Sequence, residues 1–176
     1  MMPMQVPSQR ADHAAIIREF YDYIVAFVEG PRPEFGNLPI CPFAKRARLE
    51  GRMRIEVLEL GTDSIASRLQ CFEDDPTLDL LLLVHPDTGT LSCPEVYGIA
   101  QELNRLLSAR NLLALAGHPA DPFNIDGLHT RRDPYPNIQL LRGDVAERAY
   151  KSLEKSAYYD RWSEENFRDI VPVASD

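Results

Sequence analysis

The sequence has too few cysteines for a disulfide framework and too few consecutive apolar residues for a membrane span. Its three cysteines, Cys41, Cys71 and Cys93, are odd in number and widely spaced, a pattern typical of a reducing compartment. No run approaches the roughly 18 apolar residues that cross a bilayer, and residues 1–10 lack the apolar stretch of a secretory signal. The sequence therefore predicts a cytoplasmic protein with no membrane partner.

Motifs with strict catalytic spacing are also missing. The glycines form no phosphate-binding loop, no G-x-S-x-G elbow is present, and no C-x-x-C or H-x-x-x-H pair offers zinc ligands. Ordinary nucleotide enzymes, serine hydrolases and structural zinc sites are therefore disfavoured. The net charge of -8 repels phosphate backbones and argues against a nucleic-acid partner.

One stretch departs from this acidic average. Between residues 45 and 54, Glu50 alone opposes the cations, which are Lys45, Arg46, Arg48, Arg52 and Arg54. The stretch is interpreted either as a solvated helix face or as a seat for an anionic group.

The chain contains enough apolar residues for one core. Its 176 residues, 44% of them apolar, predict a single α+β domain at residues 12–170. A flexible tail is expected at residues 1–11 and a second tail at residues 171–176.

Hydrophobic periodicity predicts the elements of this domain. Residues 12–29, 63–72, 92–107 and 144–155 have helical spacing, with Asp12 and the capping box from Ser92 to Glu95 as helix starts. Residues 53–60, 80–84, 112–116 and 138–142 are strands, and the continuous apolar run 80–84 is expected to be central. Strands separated by helices predict a layered, four-stranded mixed sheet with helices packed on it.

The connection from His118 to Pro136 is the long functional loop that precedes the last strand. It has no helical or strand period and is rich in proline, aromatic and basic residues. Loops of this length inside compact domains are usually functional or disordered, and this composition favours function.

Cys41 is the first candidate for chemistry. It precedes Pro42 at the expected start of a helix, near Lys45 and Arg46, where the helix dipole and positive charge stabilise a thiolate. We expect it to alkylate faster than the other two cysteines. In this interpretation the protein is a cofactor-free thiol enzyme with His118 or His129 as the base. In the alternative, Cys41 is a small buried apolar residue.

The histidines are the second set of candidates. His85 ends the central strand and is expected to bond locally, whereas His118 opens the long loop. His129 lies in that loop beside Arg131 and Arg132, where an imidazole acts as a base or a metal ligand.

Several segments of the chain resemble a bacterial family catalogued as domain of unknown function fourteen-fifteen. They are Cys41-Pro42-Phe43-Ala44, Leu83-Val84-His85-Pro86-Asp87, His118-Pro119, Arg132-Asp133-Pro134-Tyr135-Pro136 and Leu140-Leu141-Arg142. The likeness runs from about Val25 to Leu153, and it implies where a site lies rather than which reaction the site performs.

Two of these regions also resemble the haem-dependent N-oxygenases of the YqcI/YcgG type. The matching residues are Pro39 to Ala44 and His129-Thr130-Arg131-Arg132. This resemblance implies haem as cofactor with His129 as iron ligand, Arg131 and Arg132 on the propionates and Tyr135 covering the ring. It also implies a monooxygenase acting on an amine- or guanidine-bearing small molecule. The remaining alternative is a non-catalytic binding or accessory protein in which these groups hold the loop.

Overall fold

The computed structural model describes residues 12–170, so both predicted tails lie outside the described residues. The helices are α1 (His13–Tyr23), α2 (Ala44–Leu49), α3 (Thr62–Asp74), α4 (Cys93–Leu107), α5 (Gly143–Glu154) and α6 (Glu164–Ile170). The strands are β1 (Pro31–Arg32), β2 (Leu38–Pro39), β3 (Met53–Val57), β4 (Leu80–Val84), β5 (Leu112–Gly117), β6 (Asn124–Ile125), β7 (Leu128–His129) and β8 (Asn137–Arg142). Short 3-10 turns occupy Pro33–Phe35, Ser108–Arg110 and Ala157–Tyr159.

The main sheet has four strands in the order β3-β4-β8-β5. Strands β3 and β4 are parallel, and β8 is antiparallel to both β4 and β5. The predicted mixed sheet with helices packed on it is therefore confirmed, and β4 is an inner strand as expected. Two short hairpins, β1-β2 and β6-β7, form separate two-stranded sheets.

The apolar run of β4 is buried on both of its faces because successive side chains point to opposite sides of a strand. Leu81 and Leu83 pack in a core with α3 and α4. Leu82 and Val84 pack in a second core with α1 and with β3. Both cores follow from the continuous apolar sequence of β4, because a strand without polar side chains has to be covered on both faces.

A third apolar cluster lies away from the sheet. Its buried members come from the loops and from the last third of the chain: Phe35, Phe123, Ile125, Leu153 and Tyr158. The Tyr158 hydroxyl donates a hydrogen bond to the Ile40 carbonyl. This aromatic cluster therefore packs the segment before Cys41 and the β6-β7 hairpin against residues 153–162.

The first helix ends in an unusual way. Asp12 caps α1, as predicted, by accepting from the Ala14 and Ala15 amides. After Tyr23 the helix widens into a π-helix at Ile24–Val28, where the Glu29 amide donates to the Ile24 carbonyl at 3.0 Å. Single π turns inside or at the end of helices are often found at functional sites.

The long loop has a regular part that hydrophobic periodicity missed. Strands β6 and β7 enclose Asp126 and Gly127, which have φ angles of 50° and 86°. Asp-Gly with an apolar residue on each side, Ile125 and Leu128, is a sequence signal for a hairpin turn with positive φ at both positions. The signal was present in the sequence, but two-residue strands are too short to show a period.

The carboxyl ends of β3, β4 and β5 meet the amino end of β8 at one edge of the sheet, called here the carboxyl edge. His85 follows β4, His118 follows β5, and Asn137 begins β8. Ligands of open α/β sheets bind at such an edge. Across residues 12–170, no helix is both long and apolar enough to span a membrane.

Candidate functional site

His118 is buried at the carboxyl edge and is held at both ring nitrogens. Nδ1 accepts from the Ala120 amide at 2.9 Å, so Nε2 carries the proton and donates to the Leu91 carbonyl at 2.7 Å. No hydrogen bond joins His118 to Cys41 within the described span 12–170. Its role as a base stays a prediction, and the contacts describe a histidine that fixes the start of the loop.

His85 is bonded locally, as the sequence indicated. Its Nδ1 accepts from the Leu60 amide at 3.2 Å, and Nε2 faces the Thr90 hydroxyl at 2.6 Å. Burial lowers the pKa of His85, so the ring stays neutral near physiological pH.

Arg131 belongs to a network with Tyr97 and Asp121, called here the paired network. The Tyr97 hydroxyl donates to Asp121 at 2.6 Å and accepts from Arg131 at 2.9 Å. The guanidinium also lies 3.9 Å from the centre of the Phe123 ring. Asp121 is 1% exposed, and its second oxygen accepts from the Phe123 amide at 2.8 Å.

Arg132 and Tyr135 also have partners. Arg132 is exposed and donates from Nε to the Asp121 carbonyl at 3.2 Å. The Tyr135 hydroxyl donates to Glu19 at 2.7 Å, and this bond raises the pKa of Tyr135. Of the two arginines predicted for haem propionates, Arg131 is committed to the paired network, whereas Arg132 keeps an exposed guanidinium.

His129 differs from the other loop histidines because one of its nitrogens has no partner. It lies on β7 opposite Asn124, and its Nδ1 is shielded from solvent without a hydrogen bond. An unsatisfied buried imidazole nitrogen costs free energy, which favours a ligand at this position. Its role as an iron ligand stays a prediction.

Cys41 lies two residues before the N-cap of α2, which is Phe43, rather than at the cap. Although Cys41 is exposed as a residue, burial of its thiol raises its pKa and Glu29 adds to the effect. Hydrogen bonds from the Phe43 and Ala44 amides oppose the shift. The direction is opposite to the lowered pKa expected from a helix terminus, because burial of the thiol outweighs the amides at the start of α2.

The four arginines of the basic stretch after Cys41 all form ion pairs with carboxylates. The ion pairs are Arg46 with Glu50 at 2.8 Å, Arg48 with Glu29 at 2.7 Å, Arg52 with Asp79 at 2.6 Å and Arg54 with Asp75 at 3.5 Å. The contacts favour the interpretation of this stretch as a salt-bridged surface over a seat for an anion.

Asp133 is the one candidate group at the carboxyl edge that carries an unpaired buried charge in the described part of the chain. It is 6% exposed, and no lysine, arginine or histidine lies within ion-pair distance of it. Its Oδ2 accepts from Asn137 Nδ2 at 2.7 Å. Burial raises the pKa of Asp133 to about 6, although the Asn137 bond opposes the shift.

Tyr23 adds a second unsatisfied group beside this carboxylate. Its hydroxyl is shielded from solvent without a hydrogen bond of good geometry. Burial and the nearby Asp133 charge raise the pKa of Tyr23, so the hydroxyl keeps its proton. Tyr23 is the last residue of α1, and the π-helix begins immediately after it.

Gly117 makes the approach of Asp133 possible. A Cβ at this position would lie 2.0 Å from Asp133 Oδ2 and 2.6 Å from Asn137 Nδ2. The carboxylate therefore rests directly on the backbone at the end of β5. We call Tyr23, Gly117, Asp133 and Asn137 the Asp133 site.

Sequence reasoning did not select the members of the Asp133 site. Asp133 stands inside the Arg132-to-Pro136 segment on which the first resemblance depends, which was the one available signal. Tyr23 gave none, because a helical period does not reveal a π-helix. Within residues 12–170, no group of three or more His, Cys, Asp and Glu side chains is arranged to hold a metal ion.

Comparison of the chain with models of protein families, with curated proteins and with solved structures finds no match. Both resemblances drawn from the sequence therefore stay predictions, and function has to be argued from the geometry of the site.

Proposed function

We propose that the protein binds a small amine-bearing molecule at the Asp133 site, with the ammonium group on the Asp133 carboxylate. The observation that carries the proposal is the buried position of Asp133 without a cationic partner in the described residues. Buried charges in proteins are normally paired with an opposite charge. A bound ammonium would supply that charge.

The surroundings of Asp133 suit an ammonium group better than a metal ion. Tyr23 forms an edge contact with Phe20 at 5.9 Å and a stacked contact with Phe27 at 5.5 Å. Aromatic faces attract cations, and a single carboxylate gives too few ligands for a divalent metal. Asn137 holds one carboxylate oxygen in place, and the Tyr23 hydroxyl lies beside the carboxylate.

The test is a calorimetric titration with butylamine at pH 7.5, where Asp133 is ionised. We expect saturable binding to the wild-type protein that falls at least about tenfold in Asp133→Asn, because the substitution removes the charge and keeps the shape. The matched control is Asp22→Asn, which alters an exposed carboxylate on α1 and should bind as the wild type does. Equal binding by both variants would overturn the proposal.

A second candidate function is haem binding through His129, which the partnerless Nδ1 of that residue favours. Arg132 retains an exposed guanidinium for a propionate, while Tyr135 is bonded to Glu19. A haem group at this position would supply oxygen activation.

Hemin titration followed by absorbance tests this second candidate. His129→Ala should lose the saturable Soret shift, whereas His13→Ala, which alters an exposed histidine at the start of α1, should keep it. Retention of the shift in His129→Ala would remove the assignment without affecting the Asp133 site.

A further inference from the structure

Arg32 is a second charged group without an ion-pair partner in the described part of the chain. Its side chain is half-buried at the end of β1, and no carboxylate of residues 12–170 forms an ion pair with it. Its one hydrogen bond in this span runs from Nη2 to the Phe27 carbonyl at 3.2 Å. The Nε atom is shielded from solvent and donates to nothing.

Other arginines of the chain, unlike Arg32, have their guanidinium groups paired with a carboxylate. Arg48 and Arg52 each use Nε and Nη2 together on the two oxygens of one carboxylate, at distances from 2.6 to 3.0 Å. Arg32 presents the same planar fork without the acid. A shielded guanidinium N–H with no acceptor is a costly arrangement unless a ligand completes it.

A continuous aromatic stack connects Arg32 to the Asp133 site. The Arg32 guanidinium carbon lies 4.6 Å from the centre of the Phe27 ring, and the Phe27 and Tyr23 rings stack at 5.5 Å with 27° between their planes. Tyr23 in turn faces Asp133. Tyr23 and Phe27 are four residues apart at the junction of α1 and the π-helix, a spacing that places side chains on one helix face.

We infer that the ligand of the Asp133 site also carries a carboxylate, which Arg32 binds through its Nε–H. The inference rests on the proposed function: Asp133 takes the ammonium end and Arg32 takes the carboxylate end. The Tyr23 and Phe27 rings form the stack that links the two groups. The ligand class is therefore an amino acid with its two charged groups separated by a methylene chain. A buried carboxylate and a half-buried guanidinium at the two ends of one stack match the two charges of such a zwitterion.

The experiment is a calorimetric titration of the full chain with β-alanine, γ-aminobutyrate, δ-aminovalerate and ε-aminocaproate, with butylamine and valerate as probes that each lack one charge. We expect one length in the series to bind at least about tenfold more tightly than butylamine. Arg32→Gln should reduce binding of that compound to the level of butylamine and leave butylamine itself unchanged.

The outcomes separate this inference from the function on which it rests. An equal preference for the amino acid in Arg32→Gln and wild type would overturn the role of Arg32 while leaving the amine site intact. Binding of valerate that depends on Arg32, without any binding that depends on Asp133, would overturn the amine site instead. If no compound of the series binds more tightly than butylamine, the inference is wrong.

Two further variants keep the test decisive. Arg105→Gln changes an exposed arginine on α4 and should behave as the wild type in every titration. Arg32→Lys retains the charge but loses the planar fork, so it should recover only part of the preference. Circular dichroism at the titration temperature establishes that each variant is folded.

Discussion

The long loop carries two buried carboxylates, Asp121 and Asp133, that differ in their hydrogen-bond donors and in their distance from a cation. Asp121 accepts hydrogen bonds from the Tyr97 hydroxyl and the Phe123 amide, and Arg131 donates to the Tyr97 hydroxyl. Asp133 accepts a hydrogen bond from Asn137 and lies beside the Tyr23 hydroxyl. No cation of residues 12–170 forms an ion pair with it, and Arg131 acts on it only from beyond ion-pair distance. A buried charge surrounded by donors holds a loop in place, whereas a buried charge without a counterion favours a binding role.

The largest expected effect is that of Gly117→Ala, which places a methyl group in contact with the Asp133 carboxylate. Because the added Cβ would lie 2.0 Å from Oδ2, we expect a loss of about 3–5 kcal/mol in the free energy of unfolding. Urea denaturation measures it. The matched control is Gly98→Ala on the exposed face of α4, where no atom lies within 4 Å and helix propensity predicts a gain of about 0.5–1 kcal/mol.

The second effect is a gain in stability from Asp133→Asn. The folded protein holds the Asp133 proton up to a pKa of about 6, whereas the unfolded chain releases it near a pKa of about 4. The native state thus binds more protons between these values, and stability falls as the pH rises through that window. Asp133→Asn should remove this fall and gain as much as about 3 kcal/mol above pH 6.

Denaturation in urea at several pH values between 3 and 8 checks this prediction. Asp22→Asn serves as control and should keep the fall in stability. A pH dependence that persists unchanged in Asp133→Asn would show that the carboxylate is not the group responsible, and the contrast with Asp121 would lose its basis.

A third, smaller effect concerns the paired network. Tyr97→Phe deletes the hydroxyl that Asp121 and Arg131 share, and we expect a loss of about 1–2 kcal/mol because both groups remain in place without that partner. Tyr135→Phe removes a hydroxyl bonded to exposed Glu19 and should change stability by less than about 0.5 kcal/mol. Equal losses in the two variants would contradict the distinction between buried and exposed networks.

The smallest effect is kinetic and concerns Cys41. Because burial raises the pKa of its thiol, we expect iodoacetamide to modify it about tenfold more slowly at neutral pH than exposed Cys71 on α3. Peptide mass spectrometry after timed labelling measures both rates in one sample. Faster labelling of Cys41 would restore the thiol interpretation that the sequence first indicated.

The sheet was predictable because its signals are local and repeated. The short, continuous apolar run Leu80–Val84 predicts a strand that is buried on both faces. Ser92 with Glu95 defines a helix start within four residues. The elements that failed were short or irregular: the two-residue hairpins and the π-helix at Ile24–Val28. A period needs several residues before it becomes visible.

The site was only partly predictable for a different reason. The segment that contains Asp133 was identified, but the significance of a carboxylate depends on the partners that folding brings to it. Asp121 and Asp133 are the same residue type in one loop, and only the arrival of Tyr97 on α4 and Gly117 on β5 distinguishes them. The lack of an ion pair at Arg32 likewise follows from the fold, which brings no carboxylate of residues 12–170 within ion-pair distance of the guanidinium.

The hydrogen bond from Tyr158 to Ile40 joins residues 118 positions apart, and this has a consequence for the order of events during synthesis. All four strands of the main sheet leave the ribosome before Tyr158 does, because β8 ends at Arg142. All strands of the sheet are therefore synthesised before the aromatic residues that hold the segment preceding Cys41. A chain that ends shortly after α5 would therefore contain all four strands of the main sheet but would lack the Tyr158 hydroxyl that binds the Ile40 carbonyl.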